Sequence, residues 1–155
     1  MFTMIQRIQT IYLLIGLVAW GLLFFNPVIG LTDSASGAWL IFVNGIKEVD
    51  GGKMVMSTVP MLILFILVEI LGLVAVLSYG RRAFQLRVTV MNMLLQFFSY
   101  GIIAVYVFQG KKLLNADAGL LFWSIMPLIA GISSFLAFRG IRRDILLLRA
   151  QDRLR

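Results

Sequence analysis

The chain has 155 residues, 61% of them hydrophobic and only 14% charged, with a net charge of +7, no Cys and no His. A soluble domain is nearer half apolar and a quarter charged, and so small a globule cannot hide this much apolar surface from water. Lipid is therefore the expected solvent for most of it, and disulfides, thiol chemistry and His-based catalysis or metal binding are excluded.

A hydrocarbon core needs about 20 apolar residues per helix. Four stretches meet that need, at about 4–25, 59–79, 88–108 and 119–138. The fold class expected is an all-α membrane protein: a four-transmembrane-helix bundle forming a single membrane domain over 1–155. The first stretch has one basic residue, Arg7, before a long apolar run to Phe25. Secretory signal cores are shorter, about 7–15 residues, with a small-residue cleavage site close behind. Here the nearest such site, Ser34-Ala35-Ser36, lies well downstream, so the stretch reads as a retained span.

The first loop, 26–58, is too long for a bare connection. Within it "AWLIFVNGIKEV" carries two β-prone runs around Asn44-Gly45, a strong hairpin signal. "DGG" makes a second turn, and "KMVMST" supplies a third strand. A two-residue Asn44-Gly45 turn pairs Val43 with Ile46, Phe42 with Lys47, Ile41 with Glu48 and Leu40 with Val49. One face then carries Trp39, Ile41, Val43 and Ile46, and the other Leu40, Phe42 and Val49. A small antiparallel sheet in this loop is expected to lay one face on the bundle or headgroups, with Trp39 as an interfacial anchor. Its other face or its edge, within Trp39, Leu40, Ile41, Phe42 and Val43, is a candidate docking surface.

The second span opens on Pro60, where a missing N–H does no harm. "GRRAFQLR" makes a tight hairpin to the third span, and "QGKKLLNADAG" connects the third to the fourth. Pro127 is expected to kink the fourth span. Small residues on helix faces allow close packing: Gly72 with Ala75, Ala130 with Ser134, and Ser133 with Ala137. The tail, 139–155, reads as an amphipathic helix with Ile141, Ile145 and Leu148 on one side. Its Arg139, Arg142, Arg143, Arg149 and Arg153, with Arg81 and Arg82 of the second loop, are candidate contacts for anionic lipid headgroups or a partner.

Orientation follows from these charges. Every Arg lies at the N-terminus, in the second loop or in the tail, opposed there only by Asp144 and Asp152. Every Lys (Lys47, Lys53, Lys111 and Lys112) lies in the first or third loop, among Asp33, Glu48, Asp50 and Asp117. The N- and C-termini are thus expected to be cytoplasmic, and the tail a cytoplasmic helix.

Glu69 stands alone among apolar residues in "FILVEILGLVAVL", near the bilayer midplane. A charge there is costly and marks a functional hypothesis by default. With no Lys or Arg at its depth in any span, it is expected to be a neutral hydrogen-bonding acid. At the same depth the third span offers Asn92, Gln96, Ser99 and Tyr100, with Gln96 and Tyr100 one helical turn apart. Ser124 joins from the fourth span, and Gly16 permits close approach of the first. The alternatives are an interhelical hydrogen-bond clamp, a proton or ligand site, or a contact with another subunit. Gln6 and Gln9 are candidates to meet Asn92 or the second loop.

"MIQRIQTIYLLI" at the start and "RRDILLLRAQDRLR" at the end resemble a family of short inner-membrane proteins of the Bacteroidetes, known as domain of unknown function 4293. That resemblance implies a bacterial inner-membrane location and carries no activity. The arrangement of four spans and an outer sheet is also similar to claudin-like proteins, in architecture only. The function expected is non-catalytic: an accessory or scaffold subunit acting through contacts with a membrane or envelope protein. A small transporter or proton-coupled component centred on Glu69 is the alternative. An enzyme, a cofactor, a metal and a nucleic-acid partner are not expected.

Overall fold

The apolar runs form helices and the polar, Gly-containing first loop forms strands. The computed structural model describes residues 2–34 and 37–152, without the side chains of 2–7, 149, 151 and 152. Arg153 lies outside the described residues, and the side chains of Gln6 and Arg149 are likewise outside them. Helix α1 covers Phe2–Gly21 and ends in a 3-10 turn at Leu22–Phe24. Strands β1 (Ile29–Thr32), β2 (Ala38–Phe42), β3 (Gly45–Glu48) and β4 (Met54–Ser57) follow, then α2 (Val59–Leu77) and α3 (Arg82–Leu114). Strand β5 (Asp117–Leu120), a 3-10 turn at Phe122–Ile125 and α4 (Met126–Asp152) complete the order.

Three helical segments, Val59–Leu77, Arg82–Leu114 and Phe122–Leu148, are long and apolar enough to cross a membrane, and Ile8–Phe24 is a shorter apolar helix. The protein is therefore mostly helical, with a small antiparallel sheet. Pro60 lies in the first turn of α2 as expected. Helix α3 runs past both expected ends, so Lys111 and Lys112 sit in its last turn rather than in a loop. There they complement the negative end of the helix dipole. Asn115 closes the helix in the left-handed conformation, at φ 50°.

Helix α4 departs from expectation at both ends. It starts at Met126, not near 119, because residues 117–120 form a strand. Pro127 thus lies in the first helical turn, where proline is tolerated, and gives no mid-span kink. The tail is not a separate helix. Helix α4 passes through Gly140 without a break, and its buried stripe Ala130, Ser134, Ala137, Ile141 and Asp144 keeps one phase throughout.

The sheet has five strands in the order β4-β3-β2-β1-β5, all neighbours antiparallel. It therefore joins the first and third loops into one layer. The hairpin register differs from expectation by two residues: Ile41 pairs with Ile46, Leu40 with Lys47 and Phe42 with Gly45, leaving Val43-Asn44 as the turn. The reason lies in Gly45. A Cβ there would stand 2.9 Å from the Met56 carbonyl oxygen, so this glycine serves the close approach of β4 rather than a turn. Thr58 fixes the same corner, its hydroxyl donating to the Val43 carbonyl at 2.9 Å. Because the shift is two residues, each side chain keeps its expected face. The second turn forms at Asp50-Gly51-Gly52, with Gly52 at φ 62°.

Ile41, Val43, Ile46 and Leu31 face the bundle and are buried against Trp20, Leu23, Met61, Phe65 and Tyr106. Each such side chain withdrawn from water contributes about 1.5–3 kcal/mol. Gly110 of α3 permits a close approach of β1, since a Cβ there would meet Leu31 Cδ1 at 2.8 Å. Trp20 stacks at 4.6 Å on Phe65, and its indole N–H donates to the Phe65 carbonyl at 3.1 Å.

Candidate functional site

Glu69 sits midway along α2, and the helices around it supply its company. Asn92 and Gln96, one turn apart on α3, point into the bundle and are 4% and 3% exposed. Helix α4 brings Ser134, and α1 brings Leu13, Leu17 and Trp20. These side chains enclose a cavity of about 10 Å³. Glycines make the approach possible: a Cβ at Gly72 would lie 3.0 Å from Leu17 Cδ1 and 3.5 Å from Asn92 Nδ2. One at Gly21 would lie 3.4 Å from Glu69 Oε1.

Three oxygens at this cavity are shielded from solvent and accept no hydrogen bond: Glu69 Oε2, Asn92 Oδ1 and Gln96 Oε1. Buried polar atoms are nearly always paired, so a cluster of orphans calls for an explanation. The interhelical clamp expected between Glu69 and the α3 polar face is absent among the described hydrogen bonds.

The other expected members of the cluster separate from it. Ser99 is buried and its hydroxyl donates to the Gln96 carbonyl at 2.6 Å, an interaction within α3. Tyr100, 38% exposed, lines an apolar groove between α3 and α4 together with Gln96, Phe97 and Gly131. Ser124 does not line the Glu69 cavity: its hydroxyl donates to the Val28 carbonyl and accepts from the Leu121 N–H at 3.0 Å, tying the 3-10 turn before α4 to the residue that precedes β1. It belongs to the sheet corner because the chain around it is a 3-10 turn, not mid-span helix.

A second buried polar cluster, at the Arg-rich end, was not anticipated. Asp144 of α4, 5% exposed, accepts from Gln9 Nε2 of α1 at 2.9 Å. Arg82 at the start of α3 places Nη1 3.8 Å from the same carboxylate oxygen. Gln85 donates to the Ala75 carbonyl at 3.0 Å, locking the α2–α3 turn. Gln9 thus meets the tail rather than Asn92 or the second loop. The signal was the stripe of small residues on α4, whose period reaches Asp144.

The candidate contact surfaces divide likewise. Ile41 and Val43 are core residues and are unavailable for docking; Trp39 packs half-buried against that core. Leu40 and Phe42 are half-buried on the opposite side, where the Lys47 ammonium sits 4.9 Å from the Phe42 ring centre. Arg81, Arg139, Arg142 and Arg143 are exposed. Arg82 instead turns to Asp144 and is not a free headgroup contact.

A family model described as a domain of unknown function, DUF4293, matches residues 5–154. The chain belongs to this family. No curated protein matches it. Family membership covers nearly the whole fold, so both polar clusters and the sheet lie within the family domain.

Proposed function

We propose that this DUF4293 protein is a non-catalytic integral membrane protein of the bacterial inner membrane, an accessory or scaffold subunit acting through contacts with an envelope protein. Helix α1 is the fourth span, both termini are cytoplasmic, and the sheet stands on the outer face. The confinement of Arg to one side and Lys to the other supports this orientation. Exposed Arg81, Arg139, Arg142 and Arg143 meet anionic headgroups at the cytoplasmic face.

The open β4 edge carries the contact reading. Strand β4 ends the sheet, and Met54 and Val55 on it are 54% and 40% exposed. A free strand with apolar side chains offers both backbone pairing and side-chain contact to an added strand. Purification in mild detergent with mass spectrometry of co-eluting proteins tests this. A stoichiometric partner that is lost from Met54→Lys and Val55→Lys proteins is the expected result. Absence of any partner, or one that ignores both substitutions, contradicts it.

A second reading is favoured by the unpartnered oxygens around Glu69: a small transporter or proton-coupled membrane component. Glu69→Gln abolishes coupling on this reading and leaves a purely structural role nearly intact.

A further inference from the structure

Three buried acceptor oxygens face the space beside Glu69 and receive no hydrogen bond. Glu69 Oε2, Asn92 Oδ1 and Gln96 Oε1 each lack a partner, and all three residues line one cavity. The wall's own donors, the Asn92 and Gln96 amide groups and the Ser134 hydroxyl, make no hydrogen bond to these oxygens. Trp20 spends its indole N–H on the Phe65 carbonyl, at 3.1 Å. Asn92 Nδ2 is turned toward Gly72, 3.5 Å from where a Cβ would be. No Lys or Arg lines the cavity.

Size limits the guest. The cavity, about 10 Å³, holds one body the size of a water molecule, so a hydrated ion or an organic solute is too large. Charge limits it further. One carboxylate, two amide oxygens and the Ser134 hydroxyl present a single negative charge among neutral oxygens. A lone water suits the neutral Glu69 expected from the sequence, whereas an ionised Glu69 is uncompensated in this low-dielectric interior without a positive guest. A divalent ion leaves the opposite excess. Oxygen-only ligands select a hard cation.

We propose that Glu69, Asn92, Gln96 and Ser134 form a binding site for one dehydrated monovalent cation of sodium's size. The ion joins α2, α3 and α4 through their side chains at mid-depth. The site is independent of the β4-edge contact, so loss of a partner leaves ion binding intact and loss of the ion leaves the partner.

The test compares the full-length protein, purified in detergent, in sodium chloride and in choline chloride at equal ionic strength. A ligand that binds only the folded state raises its stability by mass action. Sodium is expected to give a saturating rise in Tm of several degrees, and magnesium none. Glu69→Gln loses the rise. Asn92→Leu and Gln96→Leu, which keep the carboxylate, weaken it, and they serve if Glu69→Gln fails to fold. Modification of Glu69 by a hydrophobic carbodiimide, read by mass spectrometry, is expected to slow in sodium and not in choline. Equal Tm and equal modification in both salts mean the cavity holds only water and overturn the proposal. A sodium effect that survives all three substitutions places the ion elsewhere and overturns it too.

Discussion

Two carboxylates of this bundle, buried Asp144 and half-buried Glu69, have opposite surroundings. Asp144 receives the Gln9 amide at 2.9 Å and stands 3.8 Å from the Arg82 guanidinium. Glu69 meets two amides as well, yet its Oε2 and both amide oxygens stay unpaired. The first cluster pairs its carboxylate with an amide and a cation, although Arg82 Nη1 makes no hydrogen bond of its own, and it joins α1, α3 and α4 at the Arg-rich end. The second lies midway along α2 and leaves three oxygens without a donor. A carboxylate beside amides thus makes a structural fastener in one place and leaves unpaired oxygens in the other, and the deciding difference is the nearby Arg82 guanidinium.

Substitutions can break or sharpen that contrast. The largest effect is expected at Asp144→Leu, which leaves Arg82 and Gln9 unpaired in a buried setting. The cost is about 3 kcal/mol, the low end for breaking a buried pair, measured by unfolding in mixed detergent micelles. Gly140→Ala comes next. Its Cβ would lie 2.8 Å from Gln9 Cγ, forcing the same fastener open. Overpacking of this kind costs roughly 1–2 kcal/mol, and the same unfolding assay reads it. Gly16→Ala is the matched control, because its nearest neighbour, the Ala130 carbonyl oxygen, is 3.4 Å away. It is expected to be neutral, or stabilising by up to about 1 kcal/mol through helix propensity. The smallest effect is expected at Glu69→Leu in sodium-free buffer. It removes an acceptor that has no donor to lose, so stability should change by less than about 1 kcal/mol. Equal costs at Asp144 and Glu69 would erase the distinction between the two clusters.

Much of the architecture was legible because lipid imposes a simple rule. Apolar runs of spanning length became α2, α3 and most of α4, and the Asp50-Gly51-Gly52 turn and β4 were readable from local chemistry. The two faces of β2 were right even though the hairpin register was not, since pleat parity survives a two-residue shift. What escaped depended on distant partners. Gly45 reads as a turn residue until β4 is placed beside it, and β1 and β5 are short runs that become strands by pairing across the two loops. Ser124 and Pro127 were misplaced because an apolar stretch does not reveal where a strand ends and a helix begins. Asn92 and Gln96 were found by depth and helical spacing. Ser134 was read only as a small packing residue, and Asp144 only as a minor charge in a basic tail. Both took their roles from the α1–α4 contact, which no local pattern specifies.

Everything functional rests on the bundle crossing the bilayer with the sheet outside. The chain has no Cys, so a single introduced thiol reports its own position. Asp50 at the outer turn and Arg142 in the tail are both exposed. A membrane-impermeant maleimide is expected to label Asp50→Cys in intact spheroplasts and Arg142→Cys only after permeabilisation. The reverse pattern, or labelling of both from one side, would contradict the account.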